Sequence, residues 1–121
     1  MDTIHINLGN DSYDITIDSG LIRRAGPSIA KLTGAGKAAI ITEDGIERLY
    51  GMDLVKSLEA AGLRTQMIVV PSSEKSRSLA IVNRVYGALV DFGLSSDDVL
   101  IALGGRIVGD VTGFAAATYH R

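Results

Sequence analysis

The chain of 121 residues contains no cysteine, which excludes both a disulfide framework and a thiolate metal site within it. A dense basic cluster is also missing. Twelve Lys and Arg stand against 14 Asp and Glu, a formal net charge of −2, so the sequence lacks the electrostatic footprint of a nucleic-acid binder and no such partner is expected. No apolar run approaches the roughly 20 residues needed to cross a bilayer, and the first residues lack the basic-then-apolar pattern of a secretory signal. The expectation is a soluble, cytoplasmic protein with no membrane partner. What is present, 46% hydrophobic and 21% charged residues, is the composition of one globular domain with a substantial core, spanning residues 1–121.

Thr3 to Leu8 and Tyr13 to Ile17 alternate apolar and polar residues around a Gly9-Asn10-Asp11-Ser12 turn, the pattern of a β-hairpin. His5 falls on the polar phase of the first strand and reads as a solvated strand histidine. Asp18 or Ser19 is placed to cap a helix carrying Leu21, Ile22, Ala25 and Ile29, with a break or a kink expected at Gly26-Pro27. Lys37 to Thr42 is a short apolar strand ending at Glu43-Asp44-Gly45. Ile46, Leu49, Tyr50, Leu54, Leu58 and Ala61 then recur at helical spacing. Gln66 to Val70 forms another strand. After Pro71, a hydroxyl cap with Glu74 in the first turn opens a helix bearing Leu79, Val82, Tyr86, Leu89 and Val90. Strands that are apolar throughout and alternate with helices predict an α/β fold. A Rossmann-like parallel sheet with helices on both faces follows the N-terminal β-hairpin.

The last strand, Asp98 to Leu103, runs into Gly104-Gly105 and then a Gly-, Ala- and Thr-rich segment with helix-packing character. A strand, a tight turn and a helix N-terminus present backbone N–H groups and the positive end of the helix dipole, which suits phosphate or pyrophosphate. The Gly-Gly-x-x-x-Gly-Asp spacing differs from the usual Gly-x-Gly-x-x-Gly fingerprint, so the structural context carries more weight than the motif. Three strand ends bring Thr42 to Asp44, Ser72 to Arg77 and Gly104 to Asp110 to one edge of the sheet, a cleft suited to an extended nucleotide. Plainer readings exist for each part: a tight turn for Gly104 and Gly105, a solvated loop acid for Glu43, and a first-turn carboxylate for Glu74.

The segment from Ala102 to Arg121 resembles the Leu-Gly-Gly-Gly-Val-Val-Gly-Asp-Leu-Thr-Gly-Phe-Ala-Ala-Ala-Thr-Tyr-x-Arg motif of 3-dehydroquinate synthases. Pro71-Ser-Ser-Glu-Lys-Ser-Arg-Ser-Leu79 is similar to that family's Pro-x-Gly-Glu-x-x-Lys-Ser loop. The resemblance covers essentially the whole chain but only the N-terminal, NAD-binding domain of a two-domain enzyme. It implies a cytoplasmic shikimate-pathway lyase that cyclises a seven-carbon sugar acid phosphate to dehydroquinate. NAD transiently oxidises the substrate, phosphate leaves, and ring opening and aldol closure follow the return of the hydride. The family also uses a divalent metal, zinc or cobalt, and a homodimer is expected.

Carried over by position, the resemblance makes Glu43 the acceptor for the adenosine ribose hydroxyls and assigns Glu74 and Arg77 to the second nucleotide loop. Gly104, Gly105, Arg106, Ile107, Gly109 and Asp110 match the pyrophosphate turn and the acid beside nicotinamide and substrate. Arg121 matches the arginine that contacts the substrate phosphate, a sensible cation for a leaving phosphate.

Gly45 and Ser73 depart from the family pattern, and Arg106 stands at the third glycine of its Gly-Gly-Gly turn. If that position requires φ > 0, Arg106 costs on the order of 1 kcal/mol, and weakened NAD binding is the expectation. The family's metal ligands and catalytic lysines lie in its C-terminal domain and have no counterpart here, so no metal site and no complete catalytic set are expected in this chain. Isolated, it is expected to be inactive. Two other readings remain open: a domain of a related sugar-phosphate cyclase or polyol dehydrogenase, and a non-catalytic receiver-like or interaction module.

Overall fold

A computed structural model of the chain describes residues 2–34, 36–73 and 78–119. Strands β1 (Asp2–Ile6) and β2 (Tyr13–Ile17) pair antiparallel, with Ile4 opposite Ile15 and Ile6 opposite Tyr13, as the alternation predicts. Paired residues share a face, so the isoleucines and Tyr13 gather on one side while His5, bonded through Nδ1 to Asp14 at 2.6 Å, lies on the exposed other.

The main sheet has the order β4-β3-β5, all parallel, built from β3 (Lys37–Glu43), β4 (Arg64–Val70) and β5 (Val99–Leu103). The central strand is buried on both faces. On one face Ala39, Ile41, Ile68 and Val70 pack against Ile81, Val85 and Leu89 of α4 (Leu79–Phe92) and Val108, Val111 and Ala115 of α5 (Arg106–Thr118). On the other, Ala38 and Ile40 meet Leu54 and Leu58 of α3 (Met52–Ala60), with Ala25 and Ile29 of α1 (Ala25–Thr33) against them. The expected two-faced α/β layer is the fold observed.

Helix starts differ from the sequence expectations in instructive ways. Asp18 does not cap α1; its carboxylate accepts from the Ser19 N–H at 2.8 Å and from the Arg24 guanidinium at 2.8 Å, and the Arg24 bond holds its pKa below the usual carboxylate range. The 3-10 turn Ile22–Arg24 leads directly into α1, and Gly26-Pro27 falls in its first turn. A proline there loses no helical hydrogen bond, so the discontinuity expected at Gly26-Pro27 falls just before it, where the 3-10 turn gives way to α1 at Arg24. The α4 cap is Ser78, whose Oγ accepts from the Ile81 N–H at 3.3 Å, and the first turn of α4 holds no acidic residue. Glu74, expected in a first turn, lies outside the described residues.

The helix expected from Ile46 onward is interrupted. A single turn, α2 (Asp44–Ile46), passes through a π-helical turn at Glu47–Gly51 before α3 begins. A π turn adds a residue to the repeat and shifts the apolar phase by about 100°. Leu49 and Tyr50, expected on the buried face, are 68% and 44% exposed. On α4, Leu79 and Val90 are likewise exposed, and the buried stripe runs through Ile81, Val82, Val85 and Leu89.

At the N-terminal edge of the sheet, Asp98 accepts from the Lys37 N–H at 3.1 Å and from the Ser95 N–H and Oγ at 2.9 and 3.1 Å. The Ser95 backbone bond is the main cause that keeps its carboxyl below the usual range. Lys37 also reaches over the Phe92 ring at 5.7 Å and donates to the Gly93 carbonyl at 2.9 Å, tying β3 to the end of α4.

Candidate nucleotide site

The parallel register aligns the C-terminal ends of the three strands. Thr42 lies opposite both Val69 and Leu103, and Glu43 opposite Val70. Glu43, the segment after Val70, and Gly104 therefore leave the sheet at the same edge, as expected.

Glu43 ends β3 in an extended conformation, half-buried, at the N-terminus of α2 without a side-chain bond to that helix. Among the described residues its carboxylate has no hydrogen-bonding partner, whereas its neighbour Asp44 is paired with Arg48 at 2.8 Å. Glu43 is thus the acid of the pair with its oxygens available at the cleft.

Gly104 has φ +153°, and a Cβ there would lie 3.1 Å from Cγ2 of Val108. Both constraints favour glycine. Gly105 is different: it caps α5 at φ −92°, ψ −156° with no side-chain cap bond, and a Cβ on it would meet nothing within 4 Å. Gly105 therefore supplies no capping side chain to the first turn of α5 and leaves open space where its Cβ would be, a geometry an anion fits.

Arg106 is the first residue of α5 and has helical geometry. The condition of positive φ is not met, so no backbone strain attaches to this arginine. Arg106, Gly109, Asp110 and Gly113 are spaced i, i+3, i+4 and i+7 and form the exposed side of α5, while Val108, Val111, Thr112 and Ala115 are buried. Ile107 is half-buried between the two sides. A Cβ on Gly109 or Gly113 would also meet open space. Glu74, Arg77 and Arg121 lie outside the described residues.

A contact that sequence reasoning missed joins the two halves of this edge. Thr42, fully buried, donates its hydroxyl to the Leu103 carbonyl at 2.6 Å. A lone hydroxyl closing an otherwise apolar strand was its available signal.

The open space at Gly105 leaves room for an anion, whereas among the described residues no three His, Cys, Asp or Glu side chains come together to hold a metal. A cleft of ≈ 540 Å³ lined by Glu59, Arg64, Thr65, Asp91 and Phe92 lies at the opposite edge of the sheet, away from the C-terminal strand ends. Among the described residues no helix is long and apolar enough to cross a membrane.

The fold is that of the N-terminal part of solved sugar phosphate cyclases. The solved structure of 2-deoxy-scyllo-inosose synthase, in complex with carbaglucose-6-phosphate, NAD+ and Co2+, superposes with a TM-score of 0.82 over 97% of this chain and 31% of that one. At 14% identity that likeness speaks to the fold alone. The 2-epi-5-epi-valiolone synthase ValA of Streptomyces hygroscopicus, with NAD+ and Zn2+ bound, is 26% identical, with a TM-score of 0.75 over 94% of this chain and 31% of that one.

More particularly, the chain is similar over its whole length to the N-terminal part of 3-dehydroquinate synthases. Residues 67–121 match the model of the 3-dehydroquinate synthase N-terminal region. The 3-dehydroquinate synthase of Clostridium acetobutylicum is 37% identical over 121 residues, covering 100% of this chain and 34% of that enzyme. The chain thus spans about a third of the length of the curated relatives it matches.

Proposed function

We propose that residues 1–121 are the NAD-binding domain of a 3-dehydroquinate synthase, a lyase that closes a seven-carbon sugar acid phosphate into a carbocycle with loss of phosphate. The observation that carries this reading is the start of α5 at Gly105, which brings no capping side chain and leaves open space at its Cβ position, on the same sheet edge as the available Glu43 carboxylate. When bound there, NAD supplies a reversible hydride acceptor. The chain's own part is to hold it. Glu43 accepts the ribose hydroxyls, the first-turn N–H groups of α5 take the pyrophosphate charge, and Gly105 and Gly109 leave room for close approach. Glu74 and Arg77 contribute from the second loop. This reading gives Asp110 and Arg121 to the substrate, with Arg121 as the cation that counters its phosphate charge.

The reading extends to a cytoplasmic protein that forms a homodimer and acts in the parent enzyme with zinc or cobalt, as the ions in the solved relatives suggest. The exposed Ile4, Tyr13, Ile15 and Ile17 of the hairpin offer apolar area for association, which sedimentation equilibrium measures directly. Because the chain spans about a third of its relatives, it is expected to release no phosphate from the sugar acid phosphate when supplied with NAD and zinc. Phosphate release by the purified chain would overturn that part. A second reading, a valiolone-type cyclase acting on a different sugar phosphate, is favoured by the 26% identity to ValA. Both readings place NAD in the same cleft, and calorimetric titration with NAD tests them together; absence of saturable heat counts against both.

A further inference from the structure

Ala38 through Thr42 of β3 are fully buried, and Thr42 is the polar residue of that run. Its hydroxyl donates to the Leu103 carbonyl, 2.6 Å away, across the β3–β5 pair. The residue after Thr42 is Glu43, and the residue after Leu103 is Gly104. One hydroxyl therefore links the two parts of the edge assigned to the ribose and to the pyrophosphate.

The Leu103 oxygen shares a rigid peptide plane with the Gly104 N–H. Fixing that oxygen fixes the direction from which the turn begins, and Gly104 then continues at φ +153° against Val108. The direction in which the following N–H groups at the start of α5 face the cleft depends on that plane.

We propose that Thr42 is a positioning residue for the dinucleotide: through the Leu103 peptide it orients the Gly104-Gly105 turn and the amides that follow it, without touching the ligand. The proposal rests on the reading of this edge as an NAD site.

The test compares Thr42→Val, which keeps the shape and removes the donor, with Thr42→Ser, which keeps the donor. Amide NMR spectra of the ligand-free chain come first. The Val variant is expected to displace the Gly104, Gly105 and Arg106 amide signals, and the Ser variant to leave them near their native positions. Affinities for NAD, ADP-ribose and adenosine follow. Thr42→Val is expected to weaken NAD and ADP-ribose on the order of tenfold, to leave adenosine unchanged, and to be rescued by Ser. Native-like turn amides in the Val variant would overturn the proposal, as would an equal loss for adenosine or a Ser variant as weak as Val. If the native chain binds no NAD, the reading of the edge fails and the ligand role of Thr42 falls with it. Native binding with an unaffected Val variant refutes Thr42 alone.

Discussion

Val108 lies against Gly104 so closely that a Cβ on the glycine would sit 3.1 Å from Cγ2 and 3.3 Å from Cβ of the valine. The first turn of α5 thereby fixes the turn that precedes it. Gly105, the next residue, has open space where its Cβ would be.

These two glycines give opposite predictions. Gly104→Ala strains both φ and the Val108 contact and is expected to cost about 1–3 kcal/mol of stability. Gly105→Val, a poorer N-cap, is expected to cost about 1 kcal/mol or less but fills the space assigned to pyrophosphate, lowering NAD affinity. Thermal unfolding and calorimetric titration separate the two effects. A Gly105→Val chain that stays folded and binds NAD with native affinity contradicts the assignment.

Gly26 makes a second close approach. Its N–H donates to Ser57 Oγ at 2.8 Å, and a Cβ on it would lie 1.9 Å from the Ser57 carbonyl oxygen. The clash is with backbone of α3, which side-chain rotation does not relieve. Gly26→Ala is expected to lose about 3 kcal/mol through forced separation of α1 and α3. Ser57→Ala, which leaves the buried N–H unpaired, is expected to lose about 1–3 kcal/mol. Chemical denaturation reads both, and native-like midpoints would contradict this packing.

Asp98 sets a pH dependence. Its carboxyl is held below the usual range first by the Ser95 N–H and also by the Ser95 hydroxyl and the Lys37 N–H. A carboxyl whose pKa is lower folded than unfolded binds protons more readily in the unfolded chain. Its stabilisation is therefore complete above the ordinary carboxylate pKa and is lost as pH falls through the depressed folded value. Asp98→Asn is expected to be less stable than the native chain at neutral pH, with the difference shrinking toward strongly acidic pH. Unfolding curves across that range check it; a constant difference would exclude the titration of Asp98 as the cause.

Arg106 stands at the start of α5 with helical backbone and an exposed side chain. With strain removed as a reason, its effect on NAD rests on the side chain alone. Arg106→Gly is expected to bind NAD more tightly, while losing a little stability to glycine's greater freedom in the unfolded chain. Equal affinities, measured by the same titration, would show that the guanidinium neither blocks nor assists the cofactor.

The parallel sheet was legible because Lys37 to Thr42 and Gln66 to Val70 are apolar along their lengths, which only a strand covered on both faces tolerates. The edge was legible because parallel strands deliver their following loops to one side. Periodicity could not reveal the π turn at Glu47–Gly51, since the residues there fit an unbroken helix until the extra residue shifts their phase. Nor could it reveal the Thr42–Leu103 bond or the Gly26–Ser57 approach, which join residues 61 and 31 apart in sequence. First-turn chemistry misled at Asp18, because residue type alone does not show which turn is the helix's first. Ser78, one residue before α4, holds the capping place.

Amide NMR of the chain during titration with NAD tests most directly whether the cofactor lies across the C-terminal edge of this sheet. Saturable shifts at Glu43, Gly105, Arg106, Ile107 and Gly109, with the hairpin and the Asp98 clasp unmoved, are the expected result. No shifts at this edge, or shifts confined to the Arg64–Asp91 cleft at the opposite one, would contradict that placement.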